Sequence, residues 1–147
     1  MFPTQNQFLV FKSGLVMSMA SPFLAASPDG KIINQGCSKP FGLVEIKCSY
    51  IKFYVGPSDA CADYSFFAEN ANGTPWLRRG HQYYFQIQGQ LSITGERWCV
   101  FIIYTSKVMS IERISFDPRF WGTWNEGLNN SYFNHFKGPA DLEFCSH

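Results

Sequence analysis

Acids are scarce in the first part of this chain, and the two that occur stand in suggestive surroundings. Between Met1 and Ser58 the only carboxylates are Asp29 and Glu45, against five lysines. Glu45 lies in an apolar run with Lys47 two residues on, and strand alternation sets Glu45 and Lys47 on one face and Val44, Ile46 and Cys48 on the other. An acid and a base then stand ~7 Å apart along the strand. Asp29 falls in the turn signal Pro28-Asp29-Gly30 after a preceding strand, so a paired neighbouring strand can bring its carboxylate beside Glu45. Two convergent carboxylates suit a hard cation such as Mg²⁺, with Mn²⁺ as a substitute. A cation held there polarises a phosphodiester and lowers the pKa of a bound water, and Lys47 can position that water or stabilise charge on phosphorus. The parts suit phosphodiester hydrolysis. Each also has a plainer reading: a type I turn at Asp29, and a solvated ion pair at Glu45 and Lys47 on a half-exposed strand.

The elements that must position these residues can be read from periodicity and punctuation. Short β-branched and aromatic runs suggest strands near residues 8–12, 15–19, 23–26 and 42–48, with residues 56–75 as a loop region around an apolar patch at Tyr64 to Ala68. From Trp76 to Thr94 the pattern becomes helical, with Tyr84, Ile87 and Leu91 as the buried stripe and Gly95 in the C′ position. Arg78, Arg79 and His81 open that helix, where phosphate contact is a sensible use of them. Residues 98–105 and 111–116 read as strands, and Phe120, Trp124, Leu128, Tyr132 and Phe136 form a stripe that would pack a C-terminal helix against a sheet. The expected class is α/β or α+β, a central mixed sheet flanked by helices, in one domain over residues 1–147.

Composition narrows the field. With 46% hydrophobic and 18% aromatic residues the 147-residue chain can build a core, which excludes disorder as its main state. A net charge of +1 excludes a polycation that holds nucleic acid by charge alone. The five cysteines are odd in number and show no zinc-type spacing, which fits an intracellular, reducing setting in nucleus or cytoplasm. His135 and His147 have no partner at ligand spacing. The uncharged run at residues 13–28 is too short and too polar for a membrane span, so no membrane is expected. Its Leu24-Ala25-Ala26-Ser27 end also imitates a signal cleavage site, the basis of a rival reading as a small secreted domain.

Taken in order, Pro28-Asp29-Gly30, Glu45-Ile46-Lys47, the helical run 81–95 with Gln86 and Gln88, and Trp98-Cys99 resemble the YqaJ viral recombinase family, relatives of phage lambda exonuclease within the PD-(D/E)XK nucleases. The resemblance implies a restriction-endonuclease-like core and metal ligation by Asp29, Glu45 and the main-chain carbonyl of Ile46. It implies catalytic roles for Asp29, Glu45, Lys47 and Gln86, with DNA as the partner, processed from duplex ends in 5′–3′ direction in recombination or repair, and a homo-oligomer. Residues 1–28 hold no carboxylate and no arginine to match the family's N-terminal helical segment, so the chain reads as an N-terminally truncated member. A catalytically inactive module that binds nucleic acid or a protein is the alternative. The helix offers a check independent of the resemblance: Gln86 sits about 100° from Ile87 around the axis, near the edge of the apolar face, within reach of a site at the sheet.

Overall fold

The computed structural model describes residues 8–48, 67–69, 75–104 and 109–135. Of the loop region expected at 56–75, residues 67–69 and 75 are described and lie in strands instead, and the rest, together with Phe136, Cys61, Cys145 and His147, lies outside the described residues. Two compact units make up the chain, Met1–Phe116 and Asp117–His147.

The first unit contains β1 (Phe8–Lys12), β2 (Val16–Met17), β3 (Ala25–Ala26), β4 (Gly30–Asn34), β5 (Phe41–Cys48), β6 (Phe67–Glu69), β7 (Pro75–Leu77), α1 (Gln82–Thr94), β8 (Trp98–Tyr104) and β9 (Met109–Ser115). Five of the strands form one mixed sheet in the order β1-β4-β5-β8-β9. Pairing is antiparallel except between β5 and β8, which run parallel from Leu43 opposite Cys99 to Cys48 opposite Tyr104. A parallel pair needs a long crossover, and α1 lies within it. β2 pairs with β3, and β6 with β7, as two small antiparallel ladders.

Alternation along the strands separates two faces. Leu43, Glu45, Cys99, Phe101 and Ile114 are buried on the face that carries the acid, and the α1 stripe Tyr84, Ile87 and Leu91 is buried as well. On the other face Ile32, Val44 and Trp98 form a core cluster with Val100 and Ile102 against it. Gly42 is required there: a Cβ on it would meet the Trp98 ring at 2.5 Å.

Two expectations need correction. Residues 30–34 form β4, where the turn signal at Pro28-Asp29-Gly30 had masked a strand of only five residues. α1 begins at Gln82, not Trp76, because Trp76 and Leu77 pair with Ala68 and Phe67, and His81 is the N-cap. Gly95 closes α1 in the left-handed conformation, φ 75°, as its position suggested. In the second unit, α2 (Pro118–His135) starts with Asp117 as its cap, the Oδ1 accepting from the N–H groups of Arg119 and Phe120 at 3.1 Å each, and with Pro at the first helical position. The stripe Phe120, Trp124, Leu128, Tyr132 is present on α2, none of whose residues is buried. A four-residue spacing makes a face without specifying what covers it.

Candidate active site

β4 and β5 bring the two acids together. Their register pairs Gly30 with Val44, so one further step sets Asp29 beside Glu45. The Asp29 carboxylate is exposed, and its Oδ2 accepts from the Ile46 N–H at 2.7 Å, which locks the turn onto β5. The strand that carries Asp29 to this position is the one that follows it.

Glu45 is only 2% exposed, which removes the reading of a solvated surface pair. A buried carboxylate must be hydrogen-bonded or it costs several kcal/mol. Its Oε1 accepts from Lys47 Nζ at 2.6 Å and from Gln86 Nε2 at 2.7 Å, and its Oε2 accepts from Gln90 Nε2 at 3.0 Å. Strand alternation delivers Lys47 to the same face, and helical spacing delivers Gln86 and Gln90, four residues apart on one side of α1. Gln90 was not singled out by the sequence reading, although its i+4 relation to Gln86 was there to find. Its own Oε1 is buried without a hydrogen-bond partner.

The surroundings tune these groups. Lys47 Nζ lies 4.9 Å from the centroid of the Tyr83 ring, a cation–π contact that holds the ammonium at the site. Tyr83 in turn lies against Phe101, at 6.1 Å between ring centroids, and edge-on to His81 at 4.7 Å. His81 caps α1 by accepting the Tyr83 N–H on Nδ1 at 3.2 Å, a role that needs the neutral ring, and burial lowers its pKa accordingly. Arg78 and Arg79 precede the helix instead of opening it. Cys99 is fully buried beside the acids. Burial, then the charges of Glu45 and Asp29, push its thiol far above the ordinary range, so it stays protonated and inert.

Asp29, Glu45, Lys47 and Gln86 thus fall in one place. Ile46 contributes its N–H to Asp29, and its side chain, 48% exposed, belongs to the opposite face. The donor set fits a small hard cation: Asp29 Oδ1 has no hydrogen bond among the described residues, and Glu45 Oε2 accepts only one. Mg²⁺ is commonly held by one or two carboxylates, with waters completing its shell. Among the described residues no cluster of three or more His, Cys, Asp or Glu side chains forms a richer cage.

The mixed sheet with its crossover helix is a fold shared with solved exonuclease structures. The chain is similar to an alkaline exonuclease, LHK-Exo, from Laribacter hongkongensis, at 23% identity and TM-score 0.59 over 83% of this chain and 54% of that one. It is also similar to LHK-Exo in complex with dAMP, at 23% identity and TM-score 0.57 over 81% and 52%. It spans about half the length of those proteins. No curated protein matches it. The model of the YqaJ-like viral recombinase domain matches residues 2–97, and the chain belongs to that family.

Proposed function

We infer that the chain is a metal-dependent deoxyribonuclease domain of the lambda-exonuclease type, acting on duplex DNA ends in recombination or repair inside the cell. One observation carries this: the β4–β5 register sets the Asp29 carboxylate beside a buried Glu45 on which Lys47 and Gln86 converge. Family membership supports it, as does the likeness to an exonuclease solved with a nucleotide, dAMP.

Asp29, Glu45 and, by the family resemblance, the Ile46 carbonyl would hold Mg²⁺. The ion supplies a polarised phosphate and a water acidic enough to attack near neutral pH. The remaining tasks belong to the chain. Lys47 is a compact cation at the substrate edge of Glu45, placed to hold the attacking water and to offset charge developing on the phosphoryl oxygens. Gln86 fixes Glu45 Oε1 through its amide, and Gln90 fixes Oε2, so that the carboxylate keeps one orientation.

The alternative, an inactive shell that binds nucleic acid or protein, is favoured by the fact that Lys47, Gln86 and Gln90 already occupy the Glu45 oxygens. Degradation of linear duplex DNA in Mg²⁺ or Mn²⁺ separates the two. The nuclease reading expects turnover that falls by about 100-fold or more in both Glu45→Gln and Lys47→Ala. Equal rates in the wild type and Glu45→Gln, or salt-sensitive DNA retention without hydrolysis at any divalent concentration, would remove it.

A further inference from the structure

At the end of the sheet where β5 and β8 begin, a second polar basin opens on the face away from Glu45. It has a volume of about 380 Å³ and is lined by Lys39, Arg97, Arg113, Trp98, Ser115 and Cys37 among others. Its position follows from register. Ser115 pairs with Trp98 and Arg113 with Val100, so both side chains share the Trp98 face. Lys39 arrives from the β4–β5 turn and Arg97 from the residue before β8.

The floor is rigid. The Trp98 indole Nε1–H donates to the Lys39 carbonyl at 2.9 Å, and its ring lies against Gly42 with no room for a Cβ. The Arg113 guanidinium sits 4.0 Å from the indole centroid, and its Nη1 donates to Cys37 Sγ at 3.6 Å. The indole holds the guanidinium in place, and among the described residues its N–H groups make one hydrogen bond, to Cys37. The Arg97 backbone is tied down as well, its carbonyl accepting from the Phe116 N–H at 2.9 Å.

Three cationic side chains converge on this basin. Among the described residues Lys39, Arg97 and Arg113 form no ion pair with a carboxylate, and the Lys47–Glu45 pair lies on the other face. Three cations around one basin repel one another unless an anion joins them. Planar guanidinium forks, a mobile ammonium and serine hydroxyls are the donors a tetrahedral phosphate takes, and the volume suits a ligand of nucleotide size or smaller. We propose that this basin binds a phosphate group, independently of the Asp29–Glu45 site.

The phosphate can come from a DNA backbone or from a free phosphate or mononucleotide, and one titration distinguishes them. The Trp98 indole N–H resonance, followed by NMR at constant ionic strength, reports on the basin floor. Inorganic phosphate should move it saturably in the full chain, with Kd weakened about tenfold or more in Arg97→Gln and in Lys39→Gln. Both substitutions are at exposed positions, and the remaining indole signals report that the fold persists. In a Glu45→Gln background that leaves DNA uncut, saturation by a short blunt duplex at lower concentration than by phosphate assigns the backbone as the source. A response to phosphate and a 5′-mononucleotide alone assigns the free ligand. No saturable shift with phosphate, or the same shift in wild type and both variants, overturns the proposal. The phosphate arm needs no hydrolysis, so its outcome is separate from that of the nuclease reading.

Discussion

Glu45 and Glu112 occupy one row of the sheet on either side of Phe101, since Glu45 pairs with Phe101 across β5–β8 and Phe101 with Glu112 across β8–β9. Both side chains point to the same face, yet their surroundings differ. Glu45 is almost fully buried and accepts from three side chains, Lys47, Gln86 and Gln90. Glu112 is half-buried and accepts from the Leu77 N–H at 2.8 Å, which ties β7 to β9. Burial raises the Glu112 pKa, and the Leu77 N–H only partly offsets it. The same residue type in one row thus serves two ends. A carboxylate surrounded by charge and side-chain amides can exchange partners with a cation or substrate, whereas one held by a backbone N–H is a structural fastener.

The comparison is broken most severely at Glu45. Glu45→Ala strands Lys47, Gln86 and Gln90 around a small cavity, and urea unfolding should show a loss of about 3 kcal/mol. Glu45→Gln keeps the volume and one acceptor, so it should lose much less stability, and under the proposed nuclease function it should abolish DNA cleavage. Equal unfolding midpoints for Glu45→Ala and wild type would mean that the amides and ammonium find other partners, and the view of Glu45 as the organiser of this face would fail.

Much of this face was legible in the sequence, for physical reasons that can be named. Asp29 and Glu45 stood out because acids are rare in their segment, and Lys47 followed from a period of two. Gln86 was placed at the edge of the α1 stripe by helical angle alone, and the structure puts its amide on Glu45. β4 was missed because its short Gly-Lys-Ile-Ile-Asn run follows a strong turn signal. Gln90 and Gln88 were missed as buried groups because polarity predicts exposure unless a partner is known. Gln88 donates instead to the Ser115 carbonyl at 3.0 Å, closing α1 onto the end of β9. The cluster of Lys39, Arg97 and Arg113 could not be read at all, because it depends on the parallel pairing of β5 with β8.

A milder change sharpens the distinction between holding a carboxylate and merely burying it. Gln90→Leu removes the donor to Glu45 Oε2 and, with it, the buried Oε1 that has no partner. A lost charge-assisted hydrogen bond and a relieved unsatisfied carbonyl roughly offset, so stability should stay within about 1 kcal/mol of wild type. Under the proposed function, in which Glu45 holds metal, cleavage should fall roughly tenfold when the group that orients that carboxylate is removed. Activity restored by Gln90→His, which again offers an N–H, would support orientation as the cause. An unchanged rate in Gln90→Leu would show that Gln86 and Lys47 orient Glu45 without it.

The smallest effect is expected at Glu112, where the sign is the informative part. A carboxyl whose pKa is higher in the folded protein than in the unfolded chain binds more protons when folded, so its contribution to stability is full below about 4.5 and is lost as pH rises through the folded value. Glu112→Gln keeps an oxygen for the Leu77 N–H and cannot ionise. Unfolding midpoints measured from pH 4 to pH 7 should therefore show the variant gaining on the wild type as pH rises, with little difference at the acidic end. A variant that loses ground towards pH 7 would mean that ionised Glu112 has a cationic partner. Its role would then resemble that of Glu45, and the contrast within the row would disappear.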